Sequence, residues 1–147
     1  MKVKISPWII VTALMISITT NLYAQVSQKA LDEHKKKWDT PAWTDTLKNP
    51  FSHSPTVASD SGKALYMKIC SVCHGNGGKG DGIAAAGLSV QPANNTSEMV
   101  QTQTDGSLFY ELSNGHAPMP PYKTILSEKQ RWQLICFIRS LKLNPKK

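Results

Sequence analysis

Five consecutive residues, Cys70-Ser71-Val72-Cys73-His74, combine two thiols and an imidazole at a spacing that does one kind of chemistry well. Thiols three positions apart fall on one helical turn. Each can add to a vinyl group of a porphyrin, which is the C-x-x-C-H pattern of c-type haem attachment. The next side chain, His74, then lies under the iron, where a neutral imidazole is a suitable ligand. Three other uses of the same residues compete. A dithiol redox pair expects a βαβ setting and no adjacent histidine. A zinc site asks for a second ligand pair at short spacing, and only His116 and Cys136 stand further along, alone and far apart. A disulfide between residues three apart closes almost no loop. Haem attachment is the favoured reading.

Iron in an electron carrier takes a second axial ligand, and several side chains could supply it. Met67 is too close to the attachment turn to reach the opposite face. Met99 lies in a polar stretch after Asn94-Asn95-Thr96-Ser97-Glu98 with no evident stiffening. Met119 sits in Gly115-His116-Ala117-Pro118-Met119-Pro120-Pro121-Tyr122, where flanking prolines fix the backbone and lower the entropy cost of holding a thioether in place. Met119 leads; His116 and an open sixth position are the alternatives. A His74/Met119 pair would fill both axial sites and raise the reduction potential relative to two histidines. The implied activity is one-electron transfer, not bond-making catalysis.

The elements that must position these residues read as helices. Asp60 or Ser61 can cap a helix carrying Ala64, Leu65, Tyr66, Met67 and Ile69 into Cys70. Gly75 to Gly82 superficially resembles a phosphate loop, but Gly80-Asp81 stands where Lys-Ser/Thr is required and no apolar strand precedes it. Glycines there let backbone approach a large flat ligand. A helix over 105–114 has Thr104 or Asp105 as cap, Leu108, Phe109 and Leu112 as its apolar stripe, and Gly115 as stop. The last helix opens on a Ser127-x-x-Gln130 capping box, carries Trp132, Leu134, Ile135, Cys136, Phe137, Ile138 and Leu141, and is expected to end at Asn144-Pro145. No segment alternates like a strand, so the expected class is all-α, with haem filling much of a small core.

The chain before residue 60 divides in two. Residues 1–24 have a basic start at Lys2 and Lys4, a short apolar run and a small residue at Ala24, the layout of a secretory signal peptide. Leu22 at position −3 is not small, so an uncleaved anchor is the alternative. Either outcome exports the remainder, to the periplasm in a bacterium. Residues 25–59 form an arm with a short charged helix over 31–38, including His34, and prolines at 41, 50 and 55. Trp38, Trp43, Leu47 and Phe51 are too apolar to be left in water. Packing on the main domain, residues 60–147, is favoured over docking to a partner; His34 and His53 read as solvated. The formal charge is +7 and falls to +5 without residues 1–24. That excess suits acidic redox partners. No basic run with interleaved aromatics argues for nucleic acid, and membrane contact would come only from an uncleaved N-terminus or a membrane complex.

Across residues 60–142 the chain resembles monohaem bacterial cytochromes c of class I. The resemblance rests on Gly62-x-x-Leu65-Tyr66, Cys70-x-x-Cys73-His74-Gly75, Gly78-x-Gly80-Asp81-Gly82, Asp105-Gly106-x-Leu108-Phe109, Met119-Pro120-x-Tyr122, Arg131-Trp132-x-Leu134 and Ile138-Arg139-x-Leu141. It implies a cytochrome c-like helical fold around one covalent haem c, first and last helices that cross, and Met119 as distal ligand. It also implies that the Pro92 carbonyl accepts the His74 Nδ1 proton, fixing the tautomer. Tyr122 and Trp132 are expected beside the haem, excluding water. Cys136 departs from the pattern and reads as a small buried apolar residue. The leading function is a periplasmic carrier of single electrons. The alternatives are a haem-bearing subunit of a larger respiratory or dehydrogenase complex, which the arm suggests, and a haem enzyme or gas sensor with a vacant iron site.

Overall fold

The computed structural model describes residues 8, 15–25 and 38–142, and the chain divides into two compact units, 1–36 and 37–147. In the first unit residues 15–25 are helical and exposed. Among the described residues no helix is long and apolar enough to cross a membrane. The expected helix over 31–38 lies outside the described residues except for Trp38.

The second unit is all-α. Helix α1 (Pro55–Ile69) begins five residues before the expected cap. Ser54-Pro55 is not a breaker here but a start, because proline at the first helical position loses no hydrogen bond and already has a helical φ. The helix buries Ala58, Gly62 and Tyr66, spaced four apart along one stripe. A single turn, α2 (Ser71–His74), follows directly. Helix α3 (Glu98–Gln101), which the polar stretch around Asn94 did not announce, precedes α4 (Asp105–Asn114). The last helix, α5 (Glu128–Ser140), opens on the expected capping box with both reciprocal bonds present. It stops at Ser140, before Asn144-Pro145, with Leu141 at its C-cap.

Helices α1 and α5 make the most extensive contact in the fold. Their approach depends on Gly62, where a Cβ would strike the Gln133 carbonyl and lie 3.1 Å from the Phe137 Cβ. Beside the crossing, the Tyr66 and Phe137 rings are 4.9 Å apart. Leu134 and Ile135 are fully buried, each contributing roughly 1.5–3 kcal/mol of transfer free energy. Helix α4 adds Leu108 and Leu112 to the same core, and Phe109 stacks on Trp132 at 4.0 Å and 15°. Arg139 ties α5 to the segment before α4: its Nε pairs with Asp105 Oδ1 at 2.7 Å, and its Nη atoms donate to the carbonyls of Gln101 and Gln103.

Residues 38–54 are joined to this core by polar as well as apolar contacts. The 3-10 turn Ala42–Thr46 lies on α4. Thr44 is fully buried with its hydroxyl 3.2 Å from that of Ser107. Asn49 Nδ2 donates to Asp105 Oδ2 at 2.8 Å, and its Oδ1 accepts the Phe51 N–H. Leu47 and Phe51 pack against the apolar cluster.

Candidate functional site

The turn that carries the two cysteines is built by one carbonyl. Cys70 O accepts from the N–H groups of Cys73 and His74, at 3.1 and 2.9 Å. This brings the two thiols to the same side. Both are free; Cys70 is buried and Cys73 half-buried. Burial first, and then the neighbouring Cys73, push the Cys70 thiol up to about 12, so it is protonated at neutral pH. A helical turn leaves its last carbonyls without partners. Here the glycine-rich loop folds back and supplies them: Gly80 N–H donates to His74 O, Gly82 N–H to Cys73 O, and Ala84 N–H to Val72 O, at 2.9, 3.1 and 2.9 Å. The glycines expected to admit a flat ligand therefore admit the attachment turn's own backbone.

His74 is oriented by the same loop, with one correction to the expected partner. Nδ1 lies 3.0 Å from Ala93 O, not from the carbonyl of Pro92. The Pro92 carbonyl faces the Cα of Gly80, where a Cβ would collide with it; Gly80 takes φ +78°, a region open to glycine. Gln91 Nε2 donates to Gly80 O at 2.5 Å, and it is the Ala93 carbonyl that reaches the imidazole. A carbonyl only accepts, so the proton sits on Nδ1 and Nε2 keeps its lone pair. Burial lowers the His74 pKa, against the opposing pull of the Ala93 bond, which favours the neutral ring a metal needs.

Two residues that sequence reasoning passed over complete this side. The Tyr66 hydroxyl, fully buried, donates to Gly75 O at 3.1 Å and accepts from Asn95 Nδ2 at 3.4 Å. Asn95 N–H donates to Gly78 O at 2.6 Å. Burial, more than any charge, pushes the Tyr66 hydroxyl up to about 12. A tyrosine four residues before the first cysteine, on the buried stripe of α1, is the signal that could have found it.

The expected residues on the other side are placed as follows. Met119 is half-buried and packs against the core cluster that holds Tyr66 and Cys70. Its backbone and that of His116 exchange two hydrogen bonds, at 3.0 and 2.8 Å, around a cis Ala117–Pro118 peptide. The His116 side chain is exposed and its ring lies 5.2 Å from that of Trp38. Met67 is exposed on α1. Tyr122 is half-buried and packs against the core cluster, and burial raises its hydroxyl. Trp132 is buried; its contacts are the Phe109 ring and, from Nε1–H, Glu128 Oε1 at 3.4 Å. Cys136 is more than apolar filler, since its sulfur accepts from Asn49 Nδ2 at 3.5 Å.

The family described as cytochrome c oxidase, cbb3-type, subunit III matches residues 57–138. The chain belongs to that family. It is a c-type cytochrome, an electron-transfer protein of a family that carries haem c covalently. Among solved structures, a chain of the reducing HAO-like protein complex of Kuenenia stuttgartiensis matches with a TM-score of 0.57 and 24% identity. The match covers 74% of this chain and 53% of that one, so this cytochrome spans about half the length of that relative. At that identity the likeness speaks for the fold alone. No curated protein matches.

The donor set of this cytochrome fits the group the family implies. Two free thiols share one turn, the adjacent imidazole is locked in the tautomer that leaves Nε2 available, and Met119 and Tyr122 pack against the same core cluster as Cys70. None of these groups is committed to a disulfide.

Proposed function

We propose that this chain is an exported monohaem cytochrome that passes single electrons between redox partner proteins. Cys70 and Cys73 would hold haem c through thioethers, and His74 Nε2 and Met119 Sδ would be the axial ligands. The bound group supplies a one-electron iron couple. The protein's part is to fix the ligands, exclude water and limit rearrangement when the charge changes. The observation that carries the reading is the His74 Nδ1–H bond to Ala93 O. It sets the ring's direction and makes Nε2 the better donor. Met119 is preferred over His116 because it is the half-buried member of the pair, while His116 is exposed against Trp38. Export follows from residues 1–24 read as a signal peptide, with residues 25–59 as an arm and 60–147 as the haem domain. The net positive charge suits partners with acidic docking surfaces.

The test is chemical and spectroscopic. Protein made in a host that matures c-type haem should have the mass of polypeptide plus one haem. When oxidised it should show the weak far-red band of a sulfur-ligated iron. Met119→Ala should lose that band and bind carbon monoxide when reduced. A colourless product of bare-polypeptide mass refutes the proposal.

A second reading has specific support: the matching family is named for an oxidase subunit. On that reading the haem domain is one subunit of a larger oxidoreductase. Native purification without detergent separates the two. Co-elution with larger polypeptides supports the subunit, and a free monomer supports the shuttle.

A further inference from the structure

Residues 38–49 lie along α4 as a strap, broadly antiparallel to it. Asn49 bonds Asp105 at the start of the helix. Asp45 Oδ1 accepts from the hydroxyls of Thr104 and Ser107, at 2.7 and 3.2 Å. Thr44 and Thr40 both reach the Ser107 hydroxyl, at 3.2 and 3.1 Å. Trp43 meets the Tyr110 ring edge-on at 5.7 Å, one turn further along. The last contact lies beyond the helix. Trp38, half-buried, meets the His116 ring at 5.2 Å and 39°. Gly106, where a Cβ would strike the Thr44 carbonyl, lets the strap lie this close.

His116 is one end of the turn whose other end is Met119. Two backbone bonds join these residues to each other, so whatever restrains His116 restrains Met119. We infer that Trp38 is a positioning residue for Met119, pressing the distal-ligand turn towards the core from a strap anchored along α4. This rests on the reading of Met119 as an axial ligand. An aromatic pair at this separation is in the range of favourable ring contacts, and its loss should loosen the turn by about three- to tenfold.

The experiment uses the full-length haem-loaded protein and four variants: Trp38→Ala, Trp38→Phe, Trp43→Ala and Met119→Ala. Added imidazole, which competes for the distal position, is titrated into each oxidised protein. Amide hydrogen exchange is followed at His116 and Met119. Trp38→Ala should bind imidazole about three- to tenfold more tightly and lose protection at those two amides by a similar factor. Trp38→Phe should restore most of both. Trp43→Ala, which removes the strap's contact with Tyr110 away from the turn, should change neither, so a general loss of strap packing is distinguished from loss of this contact. If Trp38→Ala matches wild type in both readouts while Met119→Ala has lost its far-red band, the positioning role is overturned and the ligand assignment stands. If Met119→Ala keeps the wild-type spectrum, both are overturned.

Discussion

Replacing Tyr66 by phenylalanine should change how stability depends on pH, because Tyr66 is fully buried and its hydroxyl is pushed up to about 12, chiefly by burial. An unfolded tyrosine ionises near pH 10. Between pH 10 and 12 the unfolded chain has released this proton and the folded chain still holds it. Stability must then fall as pH rises through that window. Two pH units correspond to ~2.7 kcal/mol, about half of it lost by pH 11. Phenylalanine lacks this loss but incurs another. It leaves Gly75 O without its donor and Asn95 Nδ2 without its acceptor, a cost of ~1–2 kcal/mol at neutral pH. The two stability curves should therefore cross near pH ~11. The assay is urea unfolding of haem-loaded wild type and Tyr66→Phe by far-UV circular dichroism at intervals from pH 8 to 12. Titrations common to both proteins cancel in the difference between curves, whose pH dependence reports Tyr66. A gap that stays constant over the whole range would refute the reasoning.

Gly62→Ala should lower stability by ~1–3 kcal/mol, since overpacking forces the α1–α5 crossing apart at the Gln133 carbonyl; the urea midpoint should drop with an unchanged slope. An alanine no less stable than glycine would mean that the helices yield freely. Asn49→Ala should cost ~1–2 kcal/mol by leaving the Phe51 N–H without its acceptor and taking a donor from Asp105. Asn49→Asp should be worse, because it sets a second carboxylate beside the first; equal stability of the two variants would count against the bond to Asp105.

What the sequence disclosed and what it withheld divide along a physical line. The limits of α4 and the start of α5 were legible because caps are local: Thr104 accepts from Ser107 N–H and Ser127 from Gln130 N–H, each three residues on. The spacing of Cys70, Cys73 and His74 was legible for the same reason. The start of α1 was misread because Ser-Pro both ends and begins helices, and only the buried face at Ala58 decides between them. The shift from Pro92 to Ala93 was out of reach, since the loop register is set where Gly80 meets a carbonyl twelve residues later. Thr44 and Asn49 were missed as core residues because polar side chains enter a core only when distant partners, here Ser107 and Asp105, satisfy them.

The two sides of the site are held by different means, and this ranks their stiffness. On the His74 side, three loop N–H groups close onto the carbonyls of residues 72, 73 and 74, and Ala93 O fixes the ring. On the Met119 side, two backbone bonds close a turn whose outer support is a single ring contact. At ~1 kcal/mol net per bond, the His74 side is harder to open by ~2 kcal/mol, about thirtyfold in population. In mild denaturant the amides of His116 and Met119 should therefore exchange before those of Gly80, Gly82 and Ala84. The distal far-red band should likewise fade before helical signal is lost. Simultaneous exchange of all five amides would show that the site opens as one unit, and that backbone closure of the proximal turn gives it no advantage. The expected order follows from the proposed covalent layout: the two thioethers and the proximal ligand would share five consecutive residues, so that side would be tethered by attachment as well as by hydrogen bonds. Met119 is carried forty-five residues away in sequence, and its side has only the turn's own two backbone bonds and tertiary packing to hold it.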